Sequence, residues 1–360
     1  MEVKGLLRRA GAIAEIPGVV LQAKRMYHGT TLGILVKLYK SITRRYLPEE
    51  AFYRGLLNPT VPDSEFDRNC SRSDMAKLQR SRNPLAWEYL LADKSIFYRY
   101  CELAGIPVPS LYALWSKHTP GWTCNGRLLT RRDQWVTFLE RDCPPDIVIK
   151  PNRGVYGNGI QFFQRHDGRL LDPAGRAFSA GEVLDSLVSD REFDVFVIQA
   201  RLRNHPLMER LHGTDALHTL RIVTVLQADG GCVIPYVKYK VIGGDAYVDN
   251  FRHGHLGNIS MEIDIDTGTL REPYSQRVEP PRVHPKSGRA LAGFQIPFWE
   301  ETLATVKDCA RKFSPIGTVG WDVAVTPTGP VIIEGNIWYD PPSPSDVRPV
   351  ISAIHLADAC

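Results

Sequence analysis

The sequence has few cysteines and no long apolar run, and both absences restrict the class of protein. Its seven cysteines are an odd number, are scattered along the chain and never form a Cys-x-x-Cys pair. This argues against a disulfide framework and against a structural zinc site. No run reaches the roughly 18 apolar residues that a membrane-spanning helix needs. The early apolar run from Ile13 to Leu21 contains Glu15 and Pro17, so we predict no secretory signal peptide and expect the protein in the cytoplasm.

Extremes of composition are absent as well. The 360 residues are 43% apolar, 23% charged and 9% aromatic, which excludes a disordered, collagen-like or low-complexity chain. A chain of this length has room for two or three packed units around a sizeable core. No internal repeat with a period of about 20 to 50 residues is visible.

Charge is distributed unevenly along the chain. The net charge is +4, yet residues 1–47 contain nine Lys or Arg against Glu2 and Glu15, a surplus of about +7. An amphipathic helix is predicted by apolar residues at helical spacing, namely Leu32, Leu35, Val36, Tyr39 and Ile42. We favour a helix whose apolar side packs against the body; the alternative is a peripheral contact of residues 1–47 with an anionic membrane or other anionic surface. Nucleic acid is not an expected partner, because this run has few aromatic residues for stacking.

Breaks in the pattern predict three parts: a basic helical segment at 1–65, a central part at 66–203 and a C-terminal part at 204–360. Proline and polar residues from Asn58 to Asp67 indicate the first boundary. Pro84 to Ala104 is predicted as one helix and Glu300 to Phe313 as another. Short apolar runs predict strands at 146–149, 195–199, 220–227, 232–241, 323–326 and 331–334. The mixture predicts an α/β (α+β) fold.

A glycine-rich loop follows the strand predicted at 146–149. Gly154, Gly157 and Gly159 allow backbone N–H groups to approach an anion closely, so the loop is suited to cradling phosphates. Its spacing matches neither the dinucleotide-binding fingerprint nor the P-loop. Considered alone, the loop is equally consistent with a plain turn between two strands.

Three oxygen-bearing side chains occur on the last two predicted strands. If these strands form a hairpin, Asp322 lies near Glu334 and Asn336 across the pair. Glu334 and Asn336 are two residues apart and therefore point to one face of their strand. Mg²⁺ uses few carboxylates and completes its shell with phosphate and water, so the set predicts a magnesium site. The alternative is a solvated polar face on an edge hairpin. Cations that can neutralise phosphates are also present, namely Lys94, Lys150, Arg221, Lys238 and Lys240.

Taken in order along the chain, these features resemble the ATP-grasp superfamily over roughly residues 90–345. The resemblance implies that Lys94 and Lys150 are the two ATP-binding lysines, with Gly154, Gly157 and Gly159 in the flexible loop over the phosphates. It implies that the hinge strand contacts adenine, through Gln199, Ala200, Arg201 and Leu202. It also implies that Arg221 contacts the transferring group and that Mg²⁺ is held by Asp322, Glu334 and Asn336.

Further stretches look like the sugar-transfer-associated branch, also described as alpha-L-glutamate ligase-related. They are Asn204 to Pro206, Leu217 to Thr224, Asp249 with Asn250, and Ile263 to Thr269. The branch implies a setting in polysaccharide or glycan biosynthesis. Where a glycine pair is expected after Asn250, this chain continues with Phe251 to His255. We assign the acceptor side to residues of that departure, namely Arg252, His253 and His255.

The resemblance implies two α/β lobes with ATP between them, preceded by the basic helical segment. It implies an ADP-forming ligase that uses ATP and Mg²⁺ to activate a small-molecule carboxylate as an acyl phosphate, which an amine or another nucleophile then attacks. One alternative is a phosphotransferase acting on a sugar or small-molecule hydroxyl. Another is a module that binds ATP or a glycan without catalysis. We expect the protein in the cytoplasm, with the inner face of the membrane as the place where residues 1–47 would make contact.

Overall fold

The computed structural model describes residues 2–154, 157–244, 259–273 and 281–357. The helices in these ranges are α1 (Glu2–Tyr27), α2 (Thr31–Thr43), α3 (Pro48–Tyr53), α4 (Glu65–Arg68), α5 (Arg72–Arg82), α6 (Glu88–Ala92), α7 (Lys94–Leu103), α8 (Arg132–Thr137), α9 (Ala180–Ser189), α10 (Pro206–His212), α11 (Trp299–Lys312) and α12 (Pro344–Leu356). A 3₁₀ turn at Leu85–Trp87 precedes α6, and a π-helical turn at Phe138–Asp142 follows α8. None of the described helices has both the length and the hydropathy that crossing a bilayer requires.

The strands of the described ranges form two antiparallel sheets, so the mixed α/β prediction is confirmed. The central sheet has the order β3-β2-β1-β8-β4-β5-β6-β7. Its strands are β1 (Leu111–Ser116), β2 (Gly121–Thr123), β3 (Leu128–Leu129), β4 (Asp146–Pro151), β5 (Gln161–His166), β6 (Arg169–Leu171), β7 (Ala177–Phe178) and β8 (Val195–Ala200). The C-terminal sheet has the order β11-β10-β9-β12-β13. Its strands are β9 (Thr219–Leu226), β10 (Cys232–Val241), β11 (Ile259–Glu262), β12 (Thr318–Thr326) and β13 (Gly329–Asn336).

Each sheet has its own apolar core. Trp135 of α8 and Leu184 of α9 are buried with Phe196 of the central sheet. The C-terminal core contains Trp321 of β12 and also the buried face of α7, whose Phe97 ring lies 5.5 Å from the ring of Phe313. Helix α7, which begins at Lys94, packs with the C-terminal strands, because its apolar face matches the aromatic side chains there.

The helix predicted from Pro84 to Ala104 is interrupted at Asp93. This residue is extended (φ −95°, ψ 108°), and its carboxylate accepts a hydrogen bond from the Ile96 N–H at 3.1 Å. Asp93 therefore ends one helix and caps the next, since a capping residue cannot itself be helical. Two other predicted elements are confirmed. The strand at 232–241 is β10, and the helix predicted from Glu300 to Phe313 is α11, which begins and ends one residue earlier.

The amphipathic helix predicted near residue 32 exists as α2, but its apolar side does not pack against the body. Leu32 is 73% exposed and Tyr39 is 70% exposed, whereas Ile34 and Leu38 are buried with α1 and α3. Lys37 is also buried, and its Nζ donates to Asp63 Oδ1 at 2.7 Å. The favoured interpretation was therefore wrong, because this ion pair helps to turn the opposite side of α2 inward.

Candidate functional site

A cavity of about 850 Å³ is lined by both sheets and by the N-terminal helices. Most of the residues predicted for the site lie in its wall, namely Lys94, Lys150, Gly154, Gly157, Gln199, Ala200, Arg201, Leu202, Arg221, Asp322, Glu334 and Asn336. Gly159 belongs to the same loop without lining the cavity. The predicted acceptor residues Arg252, His253 and His255 lie outside the described residues. The fold thus gathers residues that are separated by up to 242 positions in sequence.

Lys94 is positioned by the joint between α7 and the end of β4. The Lys94 backbone N–H donates to Asn152 O at 3.1 Å, and the Ser95 N–H donates to Asn152 Oδ1 at 2.9 Å. Asn152 Nδ2 donates to the capping carboxylate of Asp93 at 2.7 Å. These bonds fix the first turn of α7 beside the glycine-rich loop, where Lys94 Nζ donates to Gly154 O at 3.3 Å. Sequence reasoning did not assign roles to Asp93 and Asn152, although an Asp before a helical run is a capping signal.

Lys150 points into the cavity from β4 and is 5% exposed. Its Nζ donates to the hydroxyl of Tyr98 at 2.7 Å, and that hydroxyl donates to Ile333 O at 2.9 Å. Burial and the neighbouring charge of Lys94 lower the pKa of Lys150 to about 7. The carboxylate of Glu334 lies 3.9 Å from Lys94 Nζ and also acts electrostatically on Lys150. This side of the cavity therefore carries two cations with little neutralising charge. We call Lys94, Lys150 and Glu334 the lysine cluster.

A second group of two cations and one carboxylate lies on the C-terminal sheet. Asp322 of β12 accepts from Arg221 Nε at 2.5 Å and Nη2 at 3.2 Å, and from Lys240 Nζ at 2.8 Å. Burial alone would raise the pKa of Asp322, but the charges of Arg221 and Lys240 outweigh it and hold that pKa well below its usual range. We call Arg221, Lys240 and Asp322 the aspartate cluster, and its charges are closely paired.

The hairpin predicted for the last two strands is confirmed, with Asp322 opposite Glu334 and Gly320 opposite Asn336. Glu334 and Asn336 also contact each other, since Asn336 Nδ2 donates to Glu334 Oε1 at 3.3 Å. Among the described residues, no three His, Cys, Asp or Glu side chains form a group that could hold a metal ion. Glu334 and Asn336 nevertheless fit Mg²⁺, because this ion takes one or two protein oxygens when phosphates supply others. Asp322 is engaged by two cations instead.

The glycine-rich loop contains two glycines that other residues could not easily replace. Gly157 and Gly159 both have φ +72°, a conformation that side chains other than glycine adopt at a cost. A Cβ at Gly159 would lie 2.8 Å from Pro151 Cγ and 3.3 Å from the Phe193 ring. Glycine is required there both for the backbone angle and for this close approach. Residues 155 and 156 of the loop lie outside the described residues.

The hinge strand β8 presents an amide to the cavity. Gln199 is 4% exposed, and its Oε1 is buried without a hydrogen-bond partner among the described residues. An unsatisfied buried acceptor is costly, so this oxygen is available to accept a hydrogen bond from a ligand N–H in the cavity. After the strand, Arg201 pairs with Asp215 at 2.8 Å and Leu202 completes this part of the wall.

The far wall of the cavity comes from the N-terminal helices and was not predicted. Tyr53 and Arg54 at the end of α3 and Arg72 at the start of α5 line it. Arg72 Nε lies 3.0 Å from Asp340 Oδ1, and Arg54 Nη2 donates to Pro341 O at 3.4 Å. These contacts join residues that are 268 and 287 positions apart, and no motif in the sequence indicates them. The basic segment is thus part of the cavity as well as a helical extension.

Of three comparisons with known proteins, one assigns this chain to a family. The family model described as sugar-transfer associated ATP-grasp matches residues 73–341, about three quarters of the chain. No curated protein matches it in sequence. Similar solved structures include a D-alanine-D-alanine ligase from Coxiella burnetii (9% identity, TM-score 0.43) and the VanG D-Ala:D-Ser ligase from Enterococcus faecalis (12% identity, TM-score 0.43). Another is a RimK domain ATP-grasp protein from Sphaerobacter thermophilus (16% identity, TM-score 0.39).

These matches differ in how much of each chain they cover. The alignments include 76%, 74% and 76% of this chain, in the same order. They include 59%, 60% and 69% of the three other chains, so this chain spans about 60% of the length of the first two. The family model starts at residue 73, after Tyr53, Arg54 and Arg72 of the far wall. On the match to residues 73–341, the chain belongs to the sugar-transfer associated ATP-grasp family.

Proposed function

We propose that the protein is an ATP-dependent ligase that activates a carboxylate and couples it to an amine or another nucleophile. The observation that carries the proposal is the lysine cluster. Two buried lysines stand near one carboxylate, which lies 3.9 Å from Lys94 Nζ, and a buried excess of positive charge favours an anionic ligand. A triphosphate supplies that charge, and the glycine-rich loop beside Lys94 and Lys150 supplies the backbone approach that phosphates require.

In this proposal each side chain has a limited task. Lys94 and Lys150 bind the phosphates of ATP, and Gln199 accepts a hydrogen bond from the adenine amino group. Glu334 and Asn336 would hold Mg²⁺, which supplies charge neutralisation to the phosphates when bound. Arg221 uses Nε and Nη2 for Asp322, which leaves Nη1 for an oxygen of the transferring phosphoryl group.

The proposed reaction has two balanced steps. A carboxylate oxygen of the substrate takes the γ-phosphoryl group and ADP leaves, which gives an acyl phosphate. A nucleophile such as an amine then attacks the acyl carbon, loses a proton and expels inorganic phosphate. The chain contributes orientation and fixed positive charge to both steps, since phosphoryl transfer depends mainly on positioning and electrostatics.

The acceptor end of the cavity is proposed to lie against Tyr53, Arg54 and Arg72. Arg72 suits the carboxylate that is to be activated, because Nη1 and Nη2 can bind such a group with paired hydrogen bonds while Nε pairs with Asp340. The guanidinium group of Arg54 is held by Glu50, Asn69 and Pro341 and shapes this end of the cavity. The family description links these proteins with sugar transfer, which supports a carbohydrate or carbohydrate-linked molecule as one of the two substrates. Arg252 and His253 stay predictions for the acceptor side.

The test compares wild type with Glu334→Gln and with Glu102→Gln, an exposed carboxylate on α7 used as the matched control. Mg-ATP at about 100 times its Kd should stabilise wild type and the control by roughly 2.7 kcal/mol in thermal unfolding. Glu334→Gln should lose most of this magnesium-dependent gain and about a hundredfold or more of its ATP turnover. A gain that is equal in all three proteins would contradict the proposed role of Glu334.

A screen for products then separates the ligase from its alternative. Wild type is incubated with Mg-ATP, pools of carboxylates, amines and sugars, and hydroxylamine, which traps acyl phosphates. Formation of ADP together with a hydroxamate or a condensed product supports the ligase. A stable phosphorylated sugar without condensation would assign the protein to phosphotransfer instead.

A further inference from the structure

Helix α2 exposes a continuous apolar side that no described residue covers. Its members are exposed by 43 to 73%, and we call them the α2 stripe: Leu32, Leu35, Val36, Tyr39 and Ile42. Single exposed apolar residues are common on protein surfaces, but several on one side of one helix mark a contact surface. Their spacing by three or four residues places them side by side along the helix.

The orientation of the α2 stripe is fixed by the opposite side of the helix. Ile34 and Leu38 are buried in the core of the N-terminal helices. Lys37 Nζ donates to Asp63 Oδ1 at 2.7 Å and to Val61 O at 2.5 Å, and Lys40 pairs with Asp63 Oδ2. Rotating α2 to bury the stripe would break these bonds and expose the core residues. The stripe is therefore outward in the folded chain.

The charge around the stripe indicates what it contacts. Residues 1–82 carry a surplus of about +7, while the remainder of the chain is acidic by about 3 charges. Arg44 extends the row that begins with Leu32, Val36 and Lys40 at intervals of four residues, and of the two basic residues Lys40 is already paired with Asp63. Lys24 and Arg25 in the last turn of α1 are exposed as well. The α2 stripe is thus preceded in sequence by exposed basic residues at the end of α1 and followed by basic residues at the C-terminal end of α2.

We propose that the α2 stripe binds the surface of an anionic lipid membrane, with α2 lying in the interface. Apolar residues with a tyrosine enter the boundary between headgroups and acyl chains, and the basic residues attract anionic headgroups. A second copy of the chain fits this surface less well, because it would bring two segments of about +7 together. The contact is independent of ATP chemistry, since the stripe does not line the cavity.

Flotation of the full chain with vesicles tests the proposal. Wild type should float with vesicles of phosphatidylcholine and phosphatidylglycerol, and should bind vesicles of phosphatidylcholine alone at least about tenfold more weakly. Leu32→Ser combined with Tyr39→Ser should reduce binding by about tenfold or more, because two interfacial side chains are lost. Lys24→Gln combined with Arg25→Gln should reduce it by about fivefold for each charge.

The control replaces two exposed leucines elsewhere, Leu103→Ser combined with Leu128→Ser, which are 91% and 61% exposed. This variant should float as wild type does, and thermal unfolding should show that all variants are folded. The proposal is overturned if wild type does not float with anionic vesicles, or if the stripe variant floats equally well. It is also overturned if sedimentation shows a dimer that the stripe variant abolishes while no vesicle binding occurs.

Discussion

The lysine cluster and the aspartate cluster have the same formal charges but differ in how closely those charges are paired. Each contains two cations and one carboxylate on the wall of the same cavity. In the aspartate cluster, three hydrogen bonds of 2.5 to 3.2 Å join the carboxylate to both cations. In the lysine cluster, the carboxylate is 3.9 Å from one lysine and the other lysine donates to a tyrosine hydroxyl. Residue types alone therefore do not define a ligand site; the pairing of their charges does.

This difference assigns different tasks to two carboxylates that face each other across β12 and β13. Asp322 is almost fully used by protein partners, and it holds three strands of the C-terminal sheet together through Arg221 and Lys240. The side chain of Glu334 is 33% exposed and keeps oxygens available for a ligand. We therefore expect substitutions at Asp322 to affect stability most and substitutions at Glu334 to affect binding most.

The largest expected effect is the loss of stability in Asp322→Asn. Removing this charge takes away the buried carboxylate that Arg221 and Lys240 both bind, which should lower the free energy of unfolding by about 3–5 kcal/mol. Urea denaturation measures the loss. Glu334→Gln serves as the control and should change stability by less than about 1 kcal/mol, since its ion pair is long and partly exposed. Equal losses in the two variants would contradict the comparison.

The next largest effect is a gain in stability in Lys150→Met, and it depends on pH. Lys150 has a folded-state pKa of about 7, below the value of about 10.5 expected in the unfolded chain. Burying charged Lys150 therefore lowers the free energy of unfolding at pH values below about 7. This destabilisation decreases as the pH rises from about 7 toward about 10. Lys150→Met should stabilise the protein by about 2 kcal/mol near pH 6, and the gain should shrink above about pH 7.

Urea denaturation at several pH values checks this prediction, with the exposed Lys77→Met as the control that should show no such trend. The same Lys150→Met protein should lose most of its stabilisation by Mg-ATP. A variant that is destabilised at low pH would show that the charge of Lys150 is already compensated in the folded protein.

Much of the fold was predictable because its elements have local signals. The apolar, β-branched run at 232–241 becomes β10 without any shift, and the last two predicted strands form the expected hairpin, with a turn at 327–328. The interruption at Asp93 was missed because capping competes with helix propensity at a single residue. The orientation of α2 was missed because it depends on Asp63, which lies 23 residues beyond Lys40 and has no local relation to the helix.

The candidate site was predictable only in part, because some of its contacts join residues that are distant in sequence. The motifs identify which residues line the cavity, since each motif is a short stretch of sequence. They do not identify the partners of Asp322, because Arg221 and Lys240 come from two other strands whose register is set by the whole sheet. The far wall is hidden for the same reason, since Arg72 meets Asp340 only after the chain has folded.

The smallest expected effect concerns the loop beside the lysine cluster. Gly159→Ala should cost about 1–2 kcal/mol, because a Cβ there meets both an unfavourable φ and the ring of Pro151. Gly168→Ala is a matched control with φ +73° and no atom within 4 Å of the added Cβ, so it should show the cost of φ alone. Thermal unfolding and the KM for ATP measure both variants. An identical change in the two proteins would exclude crowding at Gly159.

The joint at Asn152 has a mechanical consequence. Its main chain belongs to the end of the central sheet, while its hydrogen bonds hold the first turn of α7, which packs with the C-terminal core. Asn152 thus couples the two sheets. Its bonds tie the helix that begins with Lys94 to the end of the strand that carries Lys150, so one short stretch of chain sets where both lysines stand although the lysines belong to different elements.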